Sequence, residues 1–430
     1  MLSTTGPWHR VGWSQRRGWL PPADALARLP LVAALLKSDV TVLGGCGHVG
    51  LPLGLALADS GLQVTLYDSN MAAVDQVQAG KMPHLESGAQ EALLRTRANG
   101  SLAASVDTST VGASEYLIVV IGTPVDEHLN PDPQAVITAL EGIADELVDG
   151  QILILRSTVF PGVTRMVERL IKRLGKSIDV AFCPERIAEG RAMEELLTLP
   201  QIVAARSDHV YVRAATLFGR LTNSIVRLEP EEAELAKLFT NSYRYIKFAA
   251  ANQLYMMAND FGLDYERIRA AVIQDYPRAA DLPGSGFAAG PCLLKDTMQL
   301  AAFNNNNFGL GVASMQINEG LPLYLVSRME SRYDLDSMTV GILGMAFKGE
   351  SDDNRSSLSY KLKRVLKVRA GAVLTTDPFV SVDEELSPLE LVLDRSDLIV
   401  IGAPHRSYAE VKIVQPVVDI WNLRGNGVYV

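Results

Sequence analysis

The sequence has few cysteines and no long hydrophobic run. Its three cysteines, Cys46, Cys183 and Cys292, have no close paired spacing, which argues against a disulfide framework or a zinc site. We therefore expect a reducing cytoplasm and no bound metal. The longest apolar runs, such as 116–121 and 398–401, are far shorter than the roughly 20 residues of a membrane span. No membrane segment is predicted.

The chain also lacks an excess of positive charge. It has 40 lysines and arginines against 49 aspartates and glutamates, a net charge of -9, which argues against a general nucleic-acid-binding protein. A local basic pocket for a small anion is compatible with this total. With 430 residues, 48% of them hydrophobic, the chain is long enough for two or three globular domains. We expect a small ligand.

Residues 1–38 differ in composition from the rest of the chain. They hold three of the four tryptophans and a single acidic residue, Asp24. We interpret them as an N-terminal extension, either an accessory helix or a loose arm. An arginine-rich targeting peptide and a wrongly assigned start codon are the alternatives.

From Asp39 onward, apolar strand-like runs alternate with helical patterns, which is typical of a doubly wound parallel sheet. The first strand leads into a G-x-G-x-x-G turn at 45–50, and the next strand ends at Asp68. The glycines let backbone N–H groups approach a pyrophosphate, and the acid would accept hydrogen bonds from ribose hydroxyls. Because a carboxylate repels a 2′-phosphate, NAD is favoured over NADP. The predicted cofactor contacts here are Gly45, Gly47, His48, Val49, Gly50 and Asp68.

Polar residues follow several later strands. They are Thr123 with Pro124, Thr158, and Glu185 with Glu189. The carboxyl ends of parallel strands meet at the edge where open sheets place ligands, so we expect these residues to border one crevice. Two solvated carboxylates are the alternative interpretation of the glutamates.

The stretch Pro230–Asp260 has no glycine or internal proline and carries two acids in its first turn. We predict one helix of about 45 Å that links two domains and packs in a core or a dimer interface. Lys237 and Asn241 lie on one face of it. On a partly buried helix this pair needs a polar partner, which a substrate oxygen would supply. An ordinary amphipathic surface is the alternative.

The segment 284–296, GSGFAAGPCLLKD, combines glycines with a cysteine, a lysine and an aspartate. A cysteine reacts as its thiolate, and a nearby cation or helix N-terminus lowers its pKa. Lys295 lies three residues after Cys292, and a helix is predicted from Asp296. Cys292 is therefore a candidate nucleophile with a lowered pKa, on a loop that Gly290 and its neighbours let fold tightly. An inert cysteine is the alternative.

A second α/β set begins near Thr339 and lacks the glycine fingerprint, so no second dinucleotide site is predicted. Lys348 follows its first strand, and Arg355 lies in the next loop, where it could bind a phosphate or carboxylate. We predict two Rossmann-like parallel-sheet domains joined by a long central helix. The predicted divisions are the extension 1–38, an NAD-binding domain 39–228, a central helical domain 229–330 and a nucleotide-sugar-binding domain 331–430.

Taken together, these motifs resemble the nucleotide-sugar 6-dehydrogenases, the group of UDP-glucose 6-dehydrogenase and UDP-N-acetylmannosamine dehydrogenase. The resemblance covers nearly all of residues 39–430. The matching motifs are GCGHVGLPL at 45–53, GTPVD at 122–126, STVFPG at 157–162, PERIAEG at 184–190, ELAKLFTN at 234–241, CLLKD at 292–296 and GMAFKGESDDNRSS at 344–357.

The resemblance implies two NAD-dependent oxidations at one carbon, which convert the C6 hydroxymethyl group of the sugar to a carboxylate. Cys292 would hold the aldehyde as a thiohemiacetal, and its oxidation would give a thioester for water to hydrolyse. The implied catalytic residues are Cys292, Lys237, Asn241, Asp296, Thr158, Glu185 and Glu189. The implied substrate contacts are Glu185, Lys237, Asn241, Gly290, Cys292 and Lys348. The implied further cofactor contacts are Thr123, Pro124, Thr158, Glu189, Lys295 and Arg355.

The expected substrate is UDP-glucose or dTDP-glucose, with a UDP-N-acetylhexosamine as the alternative. Ala288, Ala289 and Leu294 depart from the pattern of many UDP-glucose members and are the expected place for what sets the sugar. A β-hydroxyacid dehydrogenase would need neither Cys292 nor the second α/β unit, and a catalytically silent NAD or nucleotide sensor is a further alternative. We expect a homodimer through the long helix.

Overall fold

The computed structural model describes residues 38–123, 125–126 and 131–430. Residues 1–37 of the predicted extension and Pro124, a predicted cofactor contact, lie outside the described residues.

The N-terminal half is built on an eight-stranded sheet with the order β3-β2-β1-β4-β5-β6-β7-β8. Its inner strands are apolar on both faces because helices cover both sides. All neighbouring strands are parallel except β6 and β7, which are antiparallel, a departure from the all-parallel prediction. The strands are β1 (Ser38–Leu43), β2 (Val64–Tyr67), β3 (Leu102–Ser105), β4 (Ser114–Val119), β5 (Ile152–Leu155), β6 (Asp179–Phe182), β7 (Gln201–Ala204) and β8 (Ile225–Leu228).

Helices pack on both faces of this sheet and enclose two hydrophobic cores. The first helix, which follows the glycine turn, is buried along nearly its whole length. The helices are α1 (Gly50–Asp59), α2 (Met71–Gln78), α3 (Ala89–Ala98), α4 (Ala135–Glu141), α5 (Val163–Arg173), α6 (Ala192–Thr198) and α7 (Asp208–Phe218), with 3-10 helices at Thr108–Ala113 and Ala144–Glu146.

The long helix α8 (Pro230–Asp260) has the predicted bounds and contains 31 residues. It starts with a capping box between Glu229 and Glu232 and a proline in its first turn, which together fix its N-terminus. Helices α9 (Tyr265–Ile273), α10 (Leu293–Phe303) and α11 (Gly309–Glu330) pack against it. Helix α10 begins at Leu293, earlier than predicted, and Cys292 is its N-cap residue.

The C-terminal unit has a four-stranded parallel sheet of order β10-β9-β11-β12. One hydrophobic core joins this sheet to α8 and α11. The fold class is therefore as predicted, with two α/β units joined by a long helix. The elements are β9 (Thr339–Leu343), α12 (Leu358–Arg369), β10 (Ala372–Thr376), α13 (Leu389–Arg395), β11 (Leu398–Ile401) and β12 (Val417–Val418), with 3-10 helices at Leu335–Ser337 and Arg406–Tyr408.

None of the helices in the described part of the chain combines the length and apolar character that a bilayer crossing requires.

Candidate active site

The glycine turn between β1 and α1 leaves room for a ligand on one side only. A Cβ added to Gly45 would lie 2.7 Å from Val42 O, and one on Gly50 would lie 2.3 Å from Gly44 O. Both positions need glycine for internal packing. A Cβ on Gly47 would meet nothing closer than Gly44 O at 3.7 Å. That side of the turn is open.

The start of α1 and the end of β2 fit a dinucleotide. The N-cap residue Val49 offers no side-chain hydrogen bond, which leaves the helix N-terminus to an anion. Asp68 follows β2 and is partly exposed, with its Oδ2 accepting from the Cys46 N–H at 3.0 Å and its Oδ1 from the Asn70 N–H at 3.0 Å. The carboxylate is thus fixed at the rim of the turn with lone pairs free for ribose hydroxyls.

The crevice at the carboxyl ends of the strands is closed by a lysine from α10. Lys295 Nζ donates to Thr123 O and Thr123 Oγ1, both at 3.2 Å. The Thr123 hydroxyl in turn donates to Thr158 O at 2.6 Å. The structure therefore brings these three predicted cofactor residues together, as the argument from strand ends expected.

Asp296 and Asn241 are paired beneath the cysteine. Asp296 is fully buried, and its Oδ2 accepts from Asn241 Nδ2 at 2.5 Å. Its Oδ1 lies 3.3 Å from Lys295 Nζ in an ion pair but has no hydrogen bond among the described residues. This oxygen has spare capacity to accept a hydrogen bond from a ligand or a water.

Cys292 is an exposed residue at the N-terminus of α10. Although the residue as a whole is exposed, the protein atoms packed around its thiol displace water and raise the pKa of the thiol, and the Asp296 carboxylate adds to this, while Lys237, Lys295 and Arg355 oppose it. The prediction of a lowered pKa is therefore wrong. It counted the cation and the helix N-terminus but could not include burial or the nearby carboxylate.

Lys237 is nine-tenths buried on α8, at 9% exposure, and makes no hydrogen bond or ion pair with any described residue. It is still close enough to Cys292 to act on the pKa of the thiol. The donors of its ammonium are therefore available to a ligand or to water. Within the described residues, the site thus contains a cation that no other side chain pairs with.

The same face of α8 carries Glu234, which was not among the predicted site residues. Glu234 is fully buried and accepts from the Gly162 N–H at 2.7 Å, the Thr164 N–H at 2.8 Å and the Thr164 hydroxyl at 2.6 Å. It caps α5 and so fixes α8 against the NAD-side sheet. The sequence signal that could have pointed to Glu234 is the spacing of acidic residues along α8.

Glu185 lies in an internal ion pair. Its Oε2 pairs with the buried guanidinium of Arg156, and its Oε1 accepts from the N–H groups of Arg186 at 2.6 Å and Ile187 at 3.0 Å. Arg156 also donates to Cys183 O at 3.0 Å. Both carboxylate oxygens are engaged, which favours a structural role, and the predicted sugar contact stays a prediction.

Glu189 lies where the two α/β units meet. Burial raises its pKa to about 7, with Asp353 adding and Lys348 and Arg355 opposing. The Lys348 ammonium donates to Glu189 O, and the Ser351 hydroxyl donates to Glu189 Oε1 at 3.1 Å. Residues predicted to bind substrate and cofactor are thus joined across the interface.

His48 of the glycine turn also reaches this interface. Its Nδ1 lies 3.5 Å from the Arg355 guanidinium, and its ring stacks on His84 with 4.2 Å between centroids. Burial, His48 and Arg355 together lower the pKa of His84 to about 3. One ligand atom each of His48, Glu189 and Asp352 lies within 4.8 Å of the others. The bordering guanidinium disfavours a second cation there, and we assign no metal.

The loop before Cys292 is fitted closely to the C-terminal unit. A Cβ on Gly290, which has φ +96, would lie 2.5 Å from the Phe347 ring. Further back, both the N–H and the carbonyl of Gly286 bond to the Asn252 side chain at 3.0 Å. Sequence reasoning missed Asn252, since nothing in the pattern of α8 singles it out.

The residues expected to set the sugar pack inward. Ala288 and Leu293 form a small core with Tyr245, and Leu294 packs against it. Ala289 packs against the C-terminal core. These side chains support the loop, and their predicted role in sugar choice stays a prediction.

Comparison with known families agrees with this geometry. Residues 38–221 match the NAD binding domain, 231–319 the central domain and 341–424 the UDP binding domain of the UDP-glucose/GDP-mannose dehydrogenase family. The chain belongs to this family. The cofactor is accordingly NAD, as predicted, and the open glycine turn and Asp68 described above fit it.

Individual members of the UDP-glucose/GDP-mannose dehydrogenase family are similar along most of their length. A UDP-N-acetyl-D-mannosamine dehydrogenase of Pyrococcus horikoshii is 28% identical over 384 residues, 85% of this chain and 90% of the relative. A UDP-glucose 6-dehydrogenase of Haloferax volcanii is 28% identical over 353 residues, 78% of this chain and 82% of the relative. The structure of a UDP-glucose dehydrogenase from Pyrobaculum islandicum superposes with a TM-score of 0.83 at 26% identity, covering 91% and 95% of the two chains.

Proposed function

We propose that this protein oxidises the C6 hydroxymethyl group of a UDP-sugar to a carboxylate in two steps, with Cys292 as the covalent carrier. The observation that carries the proposal is Lys237, a largely buried residue of α8 that acts on the Cys292 thiol, lies one helical turn from Asn241 and makes no hydrogen bond or ion pair within the described part of the chain. A cation placed there stabilises an oxyanion on the carbon that the thiol attacks. A single-step alcohol dehydrogenase has no use for the thiol.

In the proposed reaction, NAD would supply the hydride acceptor for each oxidation, and in the first oxidation the C6 hydroxyl also releases its proton, which leaves the aldehyde. Cys292 adds to the aldehyde as a thiol, so its proton ends on the former carbonyl oxygen and a thiohemiacetal forms. The raised pKa of Cys292 agrees with a thiol in the resting site. Loss of the second hydride and of the hydroxyl proton leaves a thioester, which water cleaves to the carboxylate and the free thiol.

The other side chains have positioning tasks. Lys237 and the Asn241 amide hold the oxygen where negative charge develops. Asp296 Oδ1, buried and without a hydrogen bond, is placed to orient the attacking water or take its proton. Thr158 borders the crevice on the NAD side, and Lys348 and Arg355 face it from the C-terminal unit. In this arrangement residues 39–228, 229–330 and 331–430 serve as the NAD, central and nucleotide-sugar domains.

The first candidate substrate, which follows from the sequence, is UDP-glucose. The similarity to the UDP-N-acetyl-D-mannosamine dehydrogenase of Pyrococcus horikoshii favours UDP-N-acetyl-D-mannosamine as a second candidate. A panel of UDP-glucose, dTDP-glucose, UDP-N-acetylmannosamine, UDP-N-acetylglucosamine and GDP-mannose, with NAD and products identified by mass, tests both. A product 14 mass units heavier than its substrate marks the carboxylate, and no such product from any UDP-sugar refutes the proposal.

We also propose a homodimer through α8. The helix has an exposed apolar stripe on the face opposite Lys237 and Asn241. At about 100° of rotation per residue around the helix axis, the side chains of the stripe lie within about 60° of one another. The stripe is Phe239, Tyr243, Leu254, Met257 and Phe261. Phe261 is 86% exposed, and the stripe continues into an apolar surface cavity of about 310 Å³ between α8 and α9. Such a patch marks an interaction surface.

The dimer is tested by light scattering after size exclusion. Phe261→Glu with Met257→Glu is expected to give monomers at concentrations where the wild type is dimeric. Val368→Glu, which changes a 79% exposed apolar side chain outside the stripe, is the control and should stay dimeric. A wild-type monomer refutes this proposal without affecting the catalytic one.

The cysteines bear on the compartment that we propose. The three free cysteines among the described residues support a reducing cytoplasm.

A further inference from the structure

A buried aspartate and histidine lie behind the loop that follows β9. Asp377 comes directly after β10, His405 comes four residues after β11, and both side chains are 0% exposed. His405 Nε2 lies 3.1 Å from Asp377 Oδ2. The loop in front of them, residues 345–350, is called the phosphate loop below because it carries Lys348.

Asp377 fixes the start of the phosphate loop. Its Oδ2 accepts from the N–H of Met345 at 2.6 Å and of Ala346 at 3.0 Å. Its Oδ1 accepts from the N–H of Phe379 at 2.8 Å and of Val380 at 3.0 Å. A carboxylate with this many donors is held in one orientation, so the loop leaves the sheet in one direction.

His405 fixes the end of the same loop. Its Nδ1 accepts from the Glu350 N–H at 3.0 Å, which requires that Nδ1 carry no proton. The ring is therefore the neutral tautomer whose Nε2–H donates to Asp377. Glu350 has φ +56, a conformation that a non-glycine residue adopts only when its surroundings hold it there. The bond to His405 is one such constraint.

The loop between these two anchors makes the contacts that matter to the site. Phe347 packs against Gly290, two residues before Cys292. Lys348 extends to the carbonyl of Glu189 on the NAD side. Both side chains are thus placed by a loop whose two ends are tied to one buried pair.

We propose that Asp377 and His405 are positioning residues for nucleotide-sugar binding, which act by holding the phosphate loop in its binding conformation before the substrate arrives. The inference rests on the proposed function, in which Lys348 contacts the substrate diphosphate. Ordering a free loop on binding would subtract from the affinity, whereas a loop fixed in advance avoids that loss. The pair touches neither the substrate nor NAD.

The test compares UDP and NAD binding to the full-length chain by calorimetry. His405→Gln can place its amide nitrogen where Nε2 donates to Asp377, but its amide oxygen then points away from the Nδ1 position, so the Glu350 N–H loses its acceptor. It is expected to weaken UDP binding about tenfold, the effect of one lost buried hydrogen bond, and to leave NAD binding within about twofold. Hydrogen exchange at the amides of the phosphate loop should become faster in the same variant.

Tyr408→Phe is the matched control. Tyr408 is also buried and packs on the His405 ring with 5.6 Å between centroids, but its hydroxyl reaches only Thr376 O, at 3.5 Å. This variant should bind UDP as the wild type does even where its melting temperature falls. Equal losses of UDP affinity in both variants would show general destabilisation and overturn the inference.

A double variant separates positioning from folding. If His405 acts through Lys348, the double variant His405→Gln with Lys348→Ala should lose less UDP binding free energy than the sum of the losses in the two single variants. Full additivity, or wild-type UDP affinity in His405→Gln, overturns the inference and leaves the proposed function standing. A wild-type chain that binds neither UDP nor any nucleotide sugar overturns both.

Discussion

The two α/β units repeat one local arrangement and use it differently. In each, a glycine with positive φ follows the first strand, Gly44 at +78 and Gly344 at +97. The N–H of each glycine donates at 2.9 Å to the last carbonyl of the neighbouring strand, and an aspartate comes next, Asp68 or Asp377. Asp68 stays partly exposed with one N–H on each oxygen. Asp377 is buried under His405 and bonds to four N–H groups.

The difference explains why the same backbone serves two ligands. An acid at the end of the second strand can bind a ribose only if its oxygens are accessible and have spare capacity. In the C-terminal unit the oxygens of that acid are engaged in holding a loop, and Lys348 on the same loop is the residue predicted to contact the ligand. The missing glycine fingerprint predicted no second dinucleotide site, and the buried Asp377 supplies an independent physical reason.

The largest expected effect is a difference in protein stability between alanine variants of the two aspartates. Asp377→Ala leaves four N–H groups and His405 without their acceptor inside the protein, and we expect a loss on the order of 3 kcal/mol in the free energy of unfolding. Asp68→Ala, at the solvent-accessible rim, should change stability by less than about 0.5 kcal/mol. Thermal and urea unfolding of both variants measure this. Equal losses would mean that the two acids are not used differently.

The next effect concerns pH. The pKa of Asp377 is lowered from its ordinary value of 3.8 to about 2. Burial of the carboxyl group would raise the pKa, but the hydrogen bonds from His405 and from the backbone N–H groups outweigh the effect of burial. A carboxyl group whose pKa is lower in the folded state stabilises that state fully when the pH is above the pKa of the unfolded chain. This stabilisation is lost as the pH falls through the pKa of the folded protein. We therefore expect about 2 kcal/mol of stability to be lost between pH 4 and pH 2.

The measurement is a melting curve at each pH, at constant ionic strength, for the wild type and Asp377→Asn. The gap between the two melting temperatures should narrow as the pH falls from 4 to 2. A gap that is constant over this range would contradict the assigned role of the carboxylate.

The smallest expected effect is on cofactor affinity. Asp68→Ala removes the acceptor predicted for the ribose hydroxyls, and NAD binding should weaken about tenfold while UDP binding stays unchanged. Asp75→Ala removes a charge from the nearby exposed surface of α2 and serves as the control for net charge. If both variants lose NAD affinity equally, Asp68 acts only through long-range electrostatics.

Local patterns predicted the fold well where the chain itself carries the signal. Helix α8 has the predicted bounds, Pro230–Asp260, because a capping box starts it and no glycine or internal proline interrupts it. The short strands β3, β7 and β8 were not anticipated, because four-residue edge or partly polar strands give little periodic signal.

The proximity of the predicted site residues could be expected from the sequence, but the electrostatics around them could not. Cys292, Lys237, Asn241 and Asp296 come together as spacing and resemblance suggested. The raised pKa of the thiol depends on burial, which no local pattern reports. The partner of Glu185 is Arg156, which directly follows β5 and lies 29 residues earlier in the chain, and such long-range pairs are fixed only by the folded sheet.

The most direct test of the account is the number of NADH molecules formed per UDP-sugar consumed, measured together for the wild type and Cys292→Ser. The account predicts two NADH per sugar and a carboxylate product for the wild type. In Cys292→Ser, complete oxidation should be abolished or should stall at an ester-like adduct. One NADH per sugar in the wild type, or full turnover by Cys292→Ser, would contradict the assignment of Cys292 as the carrier between two hydride transfers.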